Sequence, residues 1–299
     1  MPPAAKLYLR TETSLSAPTR VISGEYGGLW KYGDATIEMP VEKMSLKVFE
    51  QKMAVRQDEL RKAKHTKGNG RLLKTEHPQQ DTYLLVTWEK STSKALQLVE
   101  GYRWSDGSVF FVKLKINAYK PEPGIKRMLG LLSKTRARAA NEIPEEEGFC
   151  FPGGFLAEKP TDDERAQFAF VFDDRPDLSL SVHFLHYPEV EKPLLSRRAG
   201  VFGLLGSAAM RIRTLRSGDR SLAGFQGQEL LMTAPYGAAH GNPSGERAHV
   251  FLWEYPGDAA WKPFIKLELE TEPPVSLTDE QMMALWDAIL DSFQIRPIQ

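Results

Sequence analysis

An α+β fold in two domains, each a mostly antiparallel sheet with flanking helices, is what this sequence predicts, and three observations carry that expectation. The chain has 299 residues, about twice what one core usually organises. Each half repeats one order: a helix, strands, a Trp-Glu pair (Trp88-Glu89; Trp253-Glu254), a lysine-alternating strand (FFVKLKI; FIKLELE) and a closing helix. The charge also reverses midway. Residues 1–140 hold 25 Lys and Arg against 14 Asp and Glu, a balance of +11, while residues 141–299 hold 14 against 25, a balance of −11. The expected organisation is a basic N-terminal domain over 1–140, a junction over 141–155 and an acidic C-terminal domain over 156–299.

The elements follow in order. Residues 11–39 read as polar and extended. VEKMSLKVFEQKMAVRQDELRKAK, over 41–64, reads as a helix that starts after Pro40, carries an apolar stripe of Met44, Val48, Met53 and Leu60, and ends in HTKGNG. Strands are expected over 82–88, 96–104 and 108–117, with SDG at 105–107 turning the last pair into a hairpin. In VKLKI, lysines alternate with apolar residues, as on a sheet with one wet face. A helix over 124–140 closes the first half.

The second half restarts with strands over 166–172 and 178–187, around a turn containing Pro176. A glycine-interrupted helix is expected over 194–210, then two strands flanking a turn at Ser217–Arg220. Adjacent strands at 249–255 and 263–271 come next. The last helix, over 277–293, opens on Thr278 with Gln281 three residues on, a capping box, and repeats Met282, Leu285, Ile289 and Phe293 at helical spacing.

The chemistry of the chain excludes several classes. No GxSxG elbow, Walker A loop or dinucleotide fingerprint occurs, and GNPSG at 241–245 has the wrong spacing. His183 and His186 lie three apart on a strand, hence on opposite faces, where they cannot easily share a metal. The one cysteine, Cys150, follows three glutamates that would raise a thiol pKa, the reverse of activation; it reads as a small buried residue between Phe149 and Phe151. No catalytic residue, cofactor site or metal site is expected. The lysines and arginines are scattered through amphipathic patterns without a nucleic-acid-binding signature, and no run of apolar residues is long enough to span a membrane.

Read together, EIPEEEGFCFPGGF (142–155), VEGYRW (99–104), LRSGDRSLAGFQGQELL (215–231) and the tail from FLWEYPG to SLTDEQMMALWDAILDSFQIRP resemble the immunity proteins of type VI secretion lipase effectors. The tail is the most specific part, with Leu277, Leu285, Trp286-Asp287, Ile289-Leu290, Ser292 and Arg296-Pro297 in order. The matching segments run from about residue 72 to the end. The resemblance implies an antitoxin that binds its cognate lipase or phospholipase toxin, of the α/β-hydrolase type, stoichiometrically and blocks it without chemistry. It would do so by clamping a lid or closing the lipid's route to the active site. It also implies a periplasmic setting, normally reached behind a signal; MPPAAKLYLR has no apolar region of that kind. The family pattern assigns no interface residue. Residue type and a Gly/Pro-rich setting select the 236–247 loop, with Tyr236, His240 and Arg247 as partner anchors. Two other classes stay open from the residues alone: a hydrolase with an unrecognised carboxylate site, and an envelope scaffold whose basic half meets anionic headgroups.

Overall fold

A computed structural model describes residues 6–9, 19–22, 30–66, 70–139, 142–161, 163–172, 175–185, 190, 192–197, 212–236, 246–257, 262–273, 275 and 277–296. By its contacts the chain forms two units, Leu29–Glu164 and Met1–Gly28 with Arg165–Gln299. Each is mostly antiparallel sheet with helices against it, as the sequence predicts. Two short strands, β1 (Lys6–Leu9) and β2 (Thr19–Ile22), lie before the first unit in sequence and belong to the second.

The Leu29–Glu164 unit begins with β3 (Trp30–Tyr32) and β4 (Ala35–Lys43), followed by helix α1 (Leu46–Lys62). The expected helix start at Pro40 is wrong. Pro40 lies in β4 where the register against the neighbouring strand slips between Glu38 and Glu42, a place where a missing N–H costs no ladder bond. Ser45 is the true cap, its Oγ accepting from the Val48 N–H at 3.4 Å. Shifting the start also shifts the stripe: Phe49, Met53 and Leu60 are buried, and Val48 is exposed. Gly70, at φ +62°, follows the helix where a Cβ would meet the Arg61 carbonyl at 2.7 Å.

Strand β5 (Leu72–Gln79), which the sequence reading missed, is an edge strand, exposed over most of its length and therefore without the alternation that marks a half-buried strand. β6 (Thr82–Lys90), β7 (Ser93–Ser105) and β8 (Ser108–Asn117) fall where expected. Asp106 and Gly107 both have positive φ, the signature of the tight hairpin turn that Asp-Gly favours. The sheet order is β3-β4-β8-β7-β6-β5, with Val112, Leu114 and Ile116 buried while Lys113 and Lys115 face outward.

Helix α2 (Glu122–Ser133) stops before the expected end at 140, because residues 135–137 form β9 (Thr135–Ala137) and pair with a later strand. Arg-Ala-Arg-Ala-Ala is a good helix sequence; sheet pairing overrides it. That partner, β11 (Gly154–Leu156), also pairs β10 (Phe149–Phe151). Arg136 gathers the acidic run, donating to Glu142 and Glu146 at 2.7 Å each, and stacks over the Phe155 ring. Phe149 and Phe151 are buried against Trp30, Tyr32 and Phe110. Strand alternation then sends Cys150 to the other face, half-buried rather than enclosed as expected. The turn between β10 and β11 is Pro152-Gly153, with Gly153 at φ +72°; the sequence alone points one residue later, to the Gly153-Gly154 pair. Gly154 is in the strand, where a Cβ would lie 2.2 Å from the Phe151 ring.

The second unit contains β12 (Glu164–Phe172), β13 (Arg175–Leu185), β14 (Arg213–Leu222), β15 (Phe225–Pro235), β16 (Arg247–Tyr255) and β17 (Phe264–Thr271). It ends with helix α3 (Asp279–Asp291) and β18 (Phe293–Arg296), which pairs β1. The sheet runs β14-β15-β16-β17-β13-β12, with β2 also on β12. Pro176 sits inside β13 rather than in a turn. The β17 pairing begins only at Leu178, so no ladder bond is lost.

The expected turn at Ser217–Arg220 is strand. The hairpin turns at Ala223-Gly224, at φ +47° and +88°. Residues 194–197 are helical, and the rest of the expected 194–210 helix lies outside the described residues. Thr278 caps α3 with both bonds of its capping box, as read from the sequence. Met282, Trp286, Ile289 and Leu290 bury the helix against Phe251, Trp253, Leu267 and Leu269 of the sheet.

Candidate functional site

The loop end selected from sequence is built on the β15–β16 ladder. Pro235 pairs Arg247, and the Tyr236 N–H donates to the Glu246 carbonyl at 2.8 Å, so Tyr236 and Arg247 emerge together at the stem. The Tyr236 side chain is 40% exposed. Arg247 reaches back along its own sheet, with Nη2 donating to the Thr233 carbonyl at 2.7 Å and Nε to Thr233 Oγ1 at 3.1 Å. Its fork is thus fixed in direction before any partner arrives. His240 lies outside the described residues.

Behind this stem the sheet is anchored to α3. His249, buried, bridges Asp279 Oδ1 at 2.9 Å through Nε2, and its backbone N–H donates to Thr271 Oγ1 at 2.7 Å. Arg213 pairs Asp279, Arg216 pairs Asp287, and Arg220 pairs Asp287 and Asp291. Arginines at 213, 216 and 220 could not share a strand face on simple alternation. The bulge between Thr214 and Arg216 absorbs one residue and brings them into line. On α3 the partners at 279, 287 and 291 are spaced by eight and four residues, one helical face. This network was invisible in the sequence because the bulge cannot be read from it.

On the other side of the sheet, polar groups meet at β13 and β17. Ser181 Oγ is 3.1 Å from His183 Nε2 and donates to Glu268 Oε2 at 3.5 Å, while Lys266 Nζ pairs Glu268 at 2.8 Å. Burial holds the His183 imidazole below its usual range, and Lys266 adds to the effect. In a nucleophilic triad the carboxylate orients the far nitrogen of the histidine; here it sits on the serine instead. His186 lies outside the described residues. Nearby, Arg197 donates to the buried Glu254, whose carboxyl burial pushes up and Arg197 pulls back. Among the described residues no three His, Cys, Asp or Glu side chains converge as metal ligands would.

Comparison with known proteins finds two family matches. The Tle cognate immunity protein 4 C-terminal domain matches residues 142–298, and the N-terminal domain of the same family matches residues 25–146. The second match begins well upstream of residue 72, where the sequence resemblance starts. A search of curated proteins finds no match.

Among solved structures, the apo immunity protein TplEi of T6SS from Pseudomonas aeruginosa is 20% identical. It covers 99% of this chain and 98% of its own, with a TM-score of 0.76. A chain of the Tle4–Tli4 complex is 21% identical over 95% of this chain and 93% of its own, at 0.77. TplEi complexed with "L" peptide, again from Pseudomonas aeruginosa, is 21% identical over 94% and 92%, at 0.69. At these identities the solved structures establish a common fold over nearly the whole chain.

Proposed function

The chain belongs to the Tle cognate immunity protein 4 family, and from that membership we propose that it is the antitoxin of a type VI secreted lipase effector, which it binds and inhibits in a stoichiometric complex. The observation that carries this is the pair of family matches, which together run from residue 25 to residue 298. A relative of the same fold solved as a Tle4–Tli4 complex supports it by analogy.

In this reading the protein performs no chemistry. Its effector is an α/β-hydrolase-type lipase, met in the periplasm, and inhibition comes from clamping a lid or closing the lipid's route to the active site. A tight pair of this kind needs an interface of about 1,600 Å² with aromatic or arginine anchors at its centre. Tyr236, His240 and Arg247 are the proposed anchors; the exposure of Tyr236 and the preset fork of Arg247 support that choice. A division of the chain at 141–155 is part of the proposal, supported by the charge reversal there and by the overlap of the two family matches at 142–146.

The test is co-expression with a candidate lipase effector sought among the neighbouring genes. The expected result is a one-to-one complex on size exclusion, loss of lipase turnover, and protection of cells exporting the toxin to the periplasm. A lipase that stays active and separate from this protein would sink the proposal. Ester hydrolysis by the purified protein alone, abolished in Ser181→Ala, would replace it with an enzyme.

A further inference from the structure

One end of the Leu29–Glu164 unit gathers cations that the sequence spreads from residue 61 to residue 120. The last turn of α1 brings Arg61 and Lys62, followed by Lys64, and Arg71 begins the next segment, its N–H on the Leu60 carbonyl at 3.0 Å. The Arg71 guanidinium donates to the carbonyls of Trp88 and Glu89 at 2.9 and 3.0 Å, which places it beside the end of β6. The Thr66 N–H reaches the Ser91 carbonyl at 2.9 Å, in the β6–β7 turn that carries Lys90 and Lys94. Across β7, Leu98 pairs Lys115 and Leu96 pairs Asn117, next to the turn holding Tyr119 and Lys120.

Residues 60–66, 70–72, 88–96 and 115–122 therefore share one end of the sheet and hold eight cations against two carboxylates, Glu89 and Glu122, with Asp58 one turn back on α1 binding Lys62 at 2.6 Å. Glu89 is already bound to Lys115 at 2.8 Å. Lys64, Lys90 and Lys120 are exposed and form no ion pair among the described residues, and Lys94 lies 5.7 Å from the Trp88 ring centre. Two apolar side chains stand out among them, Tyr119 at 86% exposure and Leu96 at 41%.

The opposite end of the same sheet differs. There Asp81 binds Arg103 and Glu42 binds Lys52, two ion pairs that match charge locally.

We propose that this lysine-rich end is a docking surface for anionic phospholipid headgroups. A bilayer presents many phosphates in no fixed arrangement, which suits mobile lysine point charges, and an aromatic ring with an aliphatic neighbour can enter the headgroup layer. A protein partner would instead favour fixed arginine forks and buried aromatic anchors. The inference goes beyond the immunity reading and does not rest on it, since the bilayer alone is the ligand.

The experiment is co-sedimentation of the full chain with phosphatidylcholine vesicles, with and without phosphatidylglycerol, at low and physiological salt. Binding is expected only with phosphatidylglycerol and should weaken with salt. Neutralising three lysines in K90Q/K94Q/K120Q should weaken it roughly a hundredfold, and Tyr119→Ser should weaken it several-fold. Lys47→Gln, elsewhere on α1, should bind as the parent does. Thermal melts confirm that each variant is folded, and the single variants Lys90→Gln and Lys120→Gln carry the test if the triple one is not. No binding to anionic vesicles at low salt, an unaffected triple variant, or equal loss in Lys47→Gln overturns the proposal. So does a triple variant that loses effector capture while the parent binds no vesicle, which would make this end a protein interface.

Discussion

Arg216 and Asp287 meet in a two-point ion pair, Nη2 to Oδ1 at 2.6 Å and Nη1 to Oδ2 at 3.0 Å, tying the edge strand β14 to the middle of α3. Glu229 of β15 and Arg220 complete the group. Arg216, with Arg220 beside it, holds the Asp287 carboxyl below its usual range. A carboxyl depressed in the folded state contributes stability above its unfolded pKa and loses it as pH falls through the lower folded value. Asp287→Asn should therefore cost about 1–2 kcal/mol at pH 7, limited by the 37% exposure of Asp287. Urea midpoints should converge for parent and variant below about pH 4, as the parent's carboxylate protonates. A gap that stays constant down to low pH would show that the ion pair is not its source.

Two glycines of the neighbouring hairpin should behave oppositely. A Cβ at Gly227 would lie 2.5 Å from the buried Trp253 ring and 2.6 Å from the Glu254 carbonyl; at Gly218 it would meet nothing within 4 Å. Gly227→Ala should cost roughly 2 kcal/mol through overpacking. Gly218→Ala should be neutral or slightly stabilising, since it narrows the unfolded ensemble. Denaturant melts of the two variants side by side decide the matter, and similar losses in both would contradict the packing account.

In the first unit, Glu100 is buried and accepts from Arg56 Nη2 at 2.7 Å, Arg56 Nε at 3.0 Å and Tyr102 Oη at 2.8 Å. Burial, with Glu100 beside it, pushes the Tyr102 hydroxyl well up, so it stays a donor. Arg56→Ala leaves a buried carboxylate with one donor and should cost about 3 kcal/mol. Replacing all three partners in R56M/E100L/Y102F should recover most of that loss, because neither a buried charge nor an orphaned hydroxyl remains. A triple variant as unstable as the single one would show that the group contributes more than mutual compensation.

Tyr236 is predicted to matter for binding and not for folding. Its ring is exposed and joins none of the core clusters among the described residues, so Tyr236→Ala should leave the melting temperature within about a degree. If it anchors the effector, affinity should fall roughly tenfold or more, mostly through faster dissociation. Arg247→Ala should also weaken binding, with a small stability loss from its bonds to Thr233. Surface plasmon resonance with the captured effector reads both, and unchanged dissociation in Tyr236→Ala would remove this loop from the interface.

Local pattern and chain statistics made much of this protein legible in advance. The alternation in FFVKLKI gave a strand with one wet face, SDG at 105–107 gave its hairpin, and Thr278 with Gln281 gave the start of α3, because each depends on residues within a few positions of one another. The family was legible for the same reason: its tail is a contiguous string. What only the tertiary structure decided was everything set by pairing at a distance. Residues 135–137 became strand because β11 supplied a ladder; Pro40 and Pro176 entered strands where no partner required their N–H. The bulge at Thr214/Arg216 turned arginines at uneven spacing into one row facing α3, and the end of α1 and the strand ends gathered Lys64, Lys90, Lys94 and Lys120 at one end of a sheet. Register and strand order place side chains far apart in sequence next to each other, and a linear reading holds neither.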